Sequence, residues 1–144
     1  MTINDSVTGG EGGDPALMFG VSEPAVDQDG DPEALVVLDA LAEGVVVLRV
    51  HGPLDLAAVP MLRQVIDRAA RQRPRVAVVD LSGVEFLASV GMAELLRAQA
   101  ELNKRGAALR VVAATRVVLR PLMLTRLIDE FDMYPTLDEA VTGR

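Results

Sequence analysis

From Glu33 onward, short β-branched apolar runs alternate with longer stretches whose apolar residues recur every three or four positions, the pattern of an α/β domain. Leu35 to Leu38 and Val45 to Val50 read as two strands joined across Ala42-Glu43-Gly44, and are expected to pair antiparallel; Gly52-Pro53 stops the second. Asp55 precedes Leu56 to Arg71, where Val59, Leu62, Val65, Ile66 and Ala69 share one face while Arg63, Asp67, Arg68 and Arg71 share the other. That spacing predicts an amphipathic helix with Pro60 near its first turn. Val76 to Val79 is a continuous apolar run, as in a central strand covered on both faces. A polar turn, Leu81-Ser82-Gly83, is expected after it, with Phe86-Leu87 pinning the following loop to the core.

The second half continues the alternation. Ser89 to Arg105 predicts a helix with Met92, Leu95, Leu96, Gln99 and Leu102 on one side and Glu94, Arg97, Glu101, Lys104 and Arg105 on the other, ended by Gly106. Leu109 to Ala113 predicts a strand, and Val117 to Ile128 a helix with Pro121 near its start and Leu119, Leu122, Met123 and Leu127 available for burial. Met133-Tyr134-Pro135 is expected to be extended, and Leu137 to Val141 to form a closing helical turn or two, with Thr136 as N-cap and Glu139 three residues on. The fold class expected is thus α/β, a mixed sheet of about four to five strands with helices packed mainly on one face.

The first 32 residues break the pattern. They are rich in Gly, Asp and Ser and show no sustained period, so residues 1–32 are expected to be a disordered leader before a single domain at 33–144. Inside the leader, Ala16-Leu17-Met18-Phe19-Gly20-Val21 is an apolar island. The leader also changes what the net charge of −7 means. Eight acids (Asp5, Glu11, Asp14, Glu23, Asp27, Asp29, Asp31, Glu33) precede Ala34 without a Lys or Arg, leaving 13 of the 21 acids against 14 bases in the rest. A near-neutral domain with an acidic leader has no concentrated basic surface for nucleic acid or an anionic membrane, so neither is an expected partner. No run reaches the roughly 18 apolar residues of a membrane span, and the first residues lack a secretory signal, so the chain is expected in the cytoplasm. Zero cysteines exclude disulfides, thiolate metal sites and a cysteine nucleophile.

Little in the chain points to catalysis. The single His51 ends an apolar strand beside Gly52 with no HxxxH spacing or marked nucleophile, and neither GxxxxGK[ST] nor GxGxxG occurs, so no enzyme, metal or cofactor is expected. Asp55 is expected to cap or face the first turn of the helix after it. Asp80, placed at the C-terminal end of the third strand, lies where open α/β sheets carry their functional loops, and can equally serve the turn behind it. Ser89 stands at a predicted helix start. As N-cap it would satisfy a free N–H; if phosphorylated, it would gain charge where the helix dipole favours it.

The run Asp80-Leu81-Ser82-Gly83-Val84-Glu85-Phe86-Leu87-Ala88-Ser89-Val90-Gly91 resembles the signature of STAS domains, the anti-sigma-factor antagonists of bacterial partner-switching systems. Gly52-Pro53-Leu54-Asp55-Leu56 is similar to the family's turn before its first helix, and Tyr134 to Ala140 to its usual close; the likeness spans about residues 34–141. The resemblance implies a binding protein whose partner is an anti-sigma factor of the serine-kinase type, held off a sigma factor by this domain and switched by phosphorylation. It places partner binding at Asp55, Asp80, Ser82, Ala88, Ser89, Val90, Gly91 and Met92, on the loop Leu81 to Ala88, the helix start and the Gly52 to Leu56 turn. Family members show Asp-Ser-Ser-Gly or Asp-Ser-Thr-Gly here, with the modified hydroxyl just before the glycine, where this chain has Val90. Ser89 is the acceptor candidate that remains. A constitutive antagonist, a switch moved to Ser89, and a switch by another signal all stay open. So does a STAS accessory or sensor domain serving a transporter or a ligand-responsive complex.

Overall fold

A computed structural model of the chain describes residues 25–26, 32–42 and 44–143. The strands are β1 (Ala25–Val26), β2 (Pro32–Ala42), β3 (Val45–Leu54), β4 (Val76–Leu87), β5 (Ala108–Val112) and β6 (Asp132–Tyr134). The helices are α1 (Val59–Arg71), α2 (Ser89–Lys104), α3 (Arg116–Leu124) and α4 (Leu137–Thr142), with one 3-10 turn at Leu127–Glu130. The order across the sheet is β1-β2-β3-β4-β5-β6. β1, β2 and β3 pair antiparallel, as the hairpin predicted for β2 and β3 requires, and β3 to β6 pair parallel. The two-residue β1 and Pro32, the first residue of β2, lie within the span expected of the leader; the rest of that span, with its island at residues 16–21 and the disorder expected of it, is outside the described residues.

Moving always to the next parallel strand in one direction, with crossovers of one hand, lays every connecting helix on one face. Accordingly α1, α2 and α3 share a core with Val46, Leu48 and Val50 of β3, Ala77, Val79 and Leu81 of β4, and Leu109 and Val111 of β5. The alternate residues Val45, Val47, Val76, Val78 and Val112 face the other way and are covered by Ala140, Leu137 and Val141 of α4, with Tyr134. Each fully buried Leu, Ile or Val in these layers contributes about 1.5–3 kcal/mol.

Several elements depart from the sequence expectation. α1 begins at Val59, not Leu56, because Asp55 closes a turn over residues 56–58 first. α3 ends at Leu124, well before Ile128: Arg126 adopts a left-handed conformation (φ 64°), and the chain resumes as the 3-10 turn. Leu122 is buried as expected, but Met123 is 59% exposed. On α2, Glu94 was expected on the polar side and is instead buried at 2% exposure. The expected ends do hold at Gly106, whose positive φ (81°) lets Ala107 N–H reach Leu102 O at 2.9 Å, and at Thr136, whose hydroxyl accepts from Glu139 N–H at 3.2 Å.

The largest departure is at β4. The polar turn and loop expected over Leu81 to Ala88 are strand as far as Leu87, and β4 runs on beside a β3 itself prolonged to Leu54. The pairing passes from Arg49↔Asp80 to His51↔Gly83, and from Gly52↔Val84 to Pro53↔Phe86, so β4 takes up one extra residue at each step. Two β-bulges of this kind replace the period of two with a period of three: Leu81, Val84 and Leu87 all point into the core.

Candidate functional site

The extended ends of β3 and β4 and the first turn of α2 form one edge. Its centre is a backbone contact. Ala88 N–H donates to Leu54 O at 3.0 Å, joining the segment after β4 to the end of β3. The start of α2 then lies so close that a Cβ at Gly91 would stand 2.7 Å from Leu54 O and 2.9 Å from Leu54 Cγ. Only glycine lets the helix approach this strand. A second close approach lies next to it, where a Cβ at Gly83 would run into the His51 imidazole.

α2 begins one residue earlier than a serine cap would require. Ala88 is the N-cap, with no side-chain hydrogen bond, and Ser89 is the first helical residue. The capping role expected of Ser89 is therefore not the one it has; its side chain is exposed at the helix tip. No acidic residue occupies the first turn, so the positive end of the helix is not neutralised by its own side chains. Val90, the position the family's acceptor would hold, is 38% exposed. Met92 and Gly91 are buried, Ala88 half-buried.

Asp55 caps the turn, accepting from Ala57 N–H at 3.1 Å and Ala58 N–H at 3.3 Å. Asp80 is in mid-strand rather than at a strand end, because β4 continues past it; its Oδ1 accepts from Ser82 N–H at 3.0 Å and Ser82 Oγ–H at 2.6 Å. That pair spans the first bulge. Gly91 thus lines the join between β3 and α2, Met92 is buried with its Sδ 3.8 Å from Thr125 Oγ1, Ala88, Ser89 and Val90 form the tip beside the join, and Asp55 frames the tip. Asp80 and Ser82 sit lower, on the bulge.

Two surface residues were missed from the sequence. Phe86, expected to pin a loop, is 55% exposed, and only Leu87 of the pair is buried. Leu56 is 72% exposed at the turn. It lay off the apolar face of the predicted helix, and that was the available signal. With Val90 they give the edge an apolar rim around the Leu54–Gly91 contact.

Behind the edge, the buried Glu94 is clamped from two elements. Arg63 of α1 donates to Oε1 through Nη2 at 2.8 Å and Nε at 3.2 Å, and Arg97 donates to Oε2 through Nε at 2.8 Å. Burial alone would push the Glu94 carboxyl up; the hydrogen bonds and charges of Arg97 and Arg63 outweigh it and hold the group below the ordinary range. The same carboxylate raises the Arg63 guanidinium. The clamp fixes α2 against α1. Among the described residues, no helix is long and apolar enough to cross a membrane, and no group of three or more His, Asp or Glu could hold a metal ion.

The chain matches known proteins over this whole unit. The STAS domain family model matches residues 40–140. The anti-sigma-F factor antagonist RsfB of Mycobacterium tuberculosis (strain CDC 1551 / Oshkosh) is 37% identical over 112 residues, covering 78% of this chain and 91% of that protein. The crystal structure of an anti-sigma factor antagonist from Mycobacterium paratuberculosis superposes with a TM-score of 0.72 at 36% identity, over 82% of this chain and 97% of the other. The Bacillus cell fate determinant SpoIIAA in its phosphorylated form shares the fold, with a TM-score of 0.59 at 21% identity over 75% of this chain and 97% of the other. With the signature run folded into one edge, the glycine-dependent approach of α2 to β3 and a matching model across the sheet and its helices, the chain belongs to the STAS domain family.

Proposed function

We propose that this chain is an anti-sigma-factor antagonist: it binds an anti-sigma factor of the serine-kinase type through the edge formed by Gly52 to Leu56, Phe86 to Ala88 and the first turn of α2, and thereby frees a sigma factor for transcription. The observation that carries the reading is the edge itself. An apolar rim of Leu56, Phe86 and Val90 surrounds a helix start with an open positive end and an exposed hydroxyl, on a backbone locked by the Leu54–Gly91 contact. Such a surface suits a protein partner better than a substrate. The relatives named as antagonists at 36% and 37% identity support the same reading.

Regulation follows from residues 88–91. Val90 has no hydroxyl to modify, so the switch, where it exists at this turn, belongs to Ser89. A phosphate on Ser89 would bring roughly two negative charges to the helix tip without breaking a cap, since Ser89 makes none. It would oppose a docked partner while leaving the fold intact.

The test is binding to each candidate anti-sigma factor of the same organism, with Val90→Asp alongside. The charge should weaken the complex tenfold or more with an unchanged melting temperature, because Val90 is already part-exposed. Undiminished affinity would remove this edge as the binding face. Intact mass after incubation with ATP and the partner decides the switch. A single phosphate absent from Ser89→Ala means control at Ser89, whereas stable binding without a mass change means a constitutive antagonist.

A further inference from the structure

α3 leaves an apolar surface bare. Val117 is 45% exposed, Met123 59% and Leu124 73%. Met123 and Leu124 border a groove of about 450 Å³, lined by Ala114, Arg116, Leu119, Arg120, Met123 and Leu124. The groove has cationic walls: Arg116, Arg120 and the nearby Arg126 have no ion-pair partner among the described residues. It lies next to the start of α2, since Thr125 Oγ1, one residue past α3, approaches Met92 Sδ at 3.8 Å.

We propose that this groove is the docking site of the chain's own acidic leader, with the apolar island Ala16 to Val21 as the inserted segment. Three observations support the match. The first is chemistry: Leu17, Met18 and Phe19 supply apolar bulk, and Asp14 and Glu23 bracket them with the charge that Arg116 and Arg120 lack. The second is charge distribution. Eight of the 21 acids precede Ala34 with no base among them, while α3 carries Arg116 and Arg120 and no acid, with Arg126 just beyond it and Asp129 and Glu130 only in the following 3-10 turn.

The third is reach. β1 fixes where the leader meets the fold: Ala25 pairs with Ala34, and the next residue of β2, Leu35, pairs with His51, so the leader joins the sheet level with the functional edge. From β1 to β4, over which α3 packs, is three strand spacings, about 14 Å. The five residues between Phe19 and Ala25 allow a Cα-to-Cα span of about 20 Å when extended. A second copy of the chain fits less well, because a two-fold contact would oppose the same arginines to one another. The inference does not depend on the identity of any partner. A docked leader would stand beside the partner-binding edge, so a partner whose footprint reaches α3 must displace it.

The chain has no cysteine, so paired cysteines give a clean reading on all 144 residues together. Phe19→Cys with Leu124→Cys tests proximity at an exposed position; Phe19→Cys with Lys104→Cys, at the far end of α2, is the reference. Tethering holds the leader at roughly millimolar effective concentration anywhere within its reach. Docking should make the first intramolecular disulfide form at least tenfold faster than the second. Arg116→Glu with Arg120→Glu, or 1 M salt, should erase most of that ratio. Equal rates for the two pairs would overturn the proposal, as would a preference that ignores the arginines. A cross-linked dimer as the main product would assign the groove to a second copy and overturn it equally. Met123→Cys repeats the measurement should Leu124→Cys perturb folding.

Discussion

Replacing Gly91 by alanine sets two effects of similar size against each other. Within a helix, alanine is favoured over glycine by about 0.5–1 kcal/mol, with less to gain at the third helical residue than in the interior. Against this, the new Cβ would stand 2.7 Å from Leu54 O, 2.9 Å from Leu54 Cγ and 3.2 Å from Leu87 Cδ1. The nearest of these is a backbone oxygen in a strand, which cannot turn aside as a side-chain tip would. Forcing a methyl into a packed site costs about 1–3 kcal/mol, and a rigid neighbour places this case in the upper half. The net expectation is a loss of about 1–2 kcal/mol, or a fall in melting temperature of roughly 5–10 °C for a domain of this size. Urea titration followed by circular dichroism measures it. Because relief comes by moving α2 off β3, partner affinity should fall together with stability. Gly91→Ala with wild-type or higher stability would refute the reasoning: the close approach would then be absent, and the edge would not depend on glycine.

Other substitutions test separate parts of the structure. The Glu94 carboxyl is held below its unfolded value, so its stabilisation is complete above the ordinary glutamate range, about pH 4.3, and is lost as pH falls through the folded value. Glu94→Gln should destabilise the domain at pH 7 and flatten the acid limb of its stability profile; an unchanged acid limb would mean that the clamp contributes nothing. Thr136→Ala removes the hydroxyl that accepts from Glu139 N–H and should cost about 1 kcal/mol, seen as faster amide exchange in α4 alone. Leu95→Ala, at a fully buried position between α2 and the sheet, should cost about 2–5 kcal/mol by chemical denaturation.

The parts of the fold visible in the sequence are those where one physical signal dominates. The apolar stripe of α1, Leu62, Val65, Ile66 and Ala69, is buried as its spacing requires, and the apolar runs at 45–48 and 76–79 are strands covered on both faces. β4 beyond Asp80 was not legible because two bulges remove the alternation by which a strand is recognised. Asp-Leu-Ser-Gly has turn composition, and here it bends a strand instead. Ser89 was read as a cap from residue preference, yet the helix takes Ala88 because Ala88 N–H is already engaged by Leu54 O and fixes where the chain turns. Glu94 was assigned to the solvent by its charge. Its place on the stripe of Gly91, Leu95 and Ala98, three residues before Arg97, carried the contrary signal, but Arg63 comes from 31 positions away and no local pattern reveals it.

The paired extension of β3 and β4 bears on the kinetics of recognition. In many regulatory proteins the contact residues lie on loops that must be ordered during docking, at an entropic cost of about 1–2 kcal/mol for each residue fixed. Here Gly52 to Leu54 and Gly83 to Leu87 are already held in a hydrogen-bonded ladder, and Ala88 is tied to Leu54. The edge proposed as the contact surface is ordered without a partner. Association should then follow the rate of productive collision, with little temperature-dependent rearrangement, and rival partners should differ chiefly in how long they stay bound.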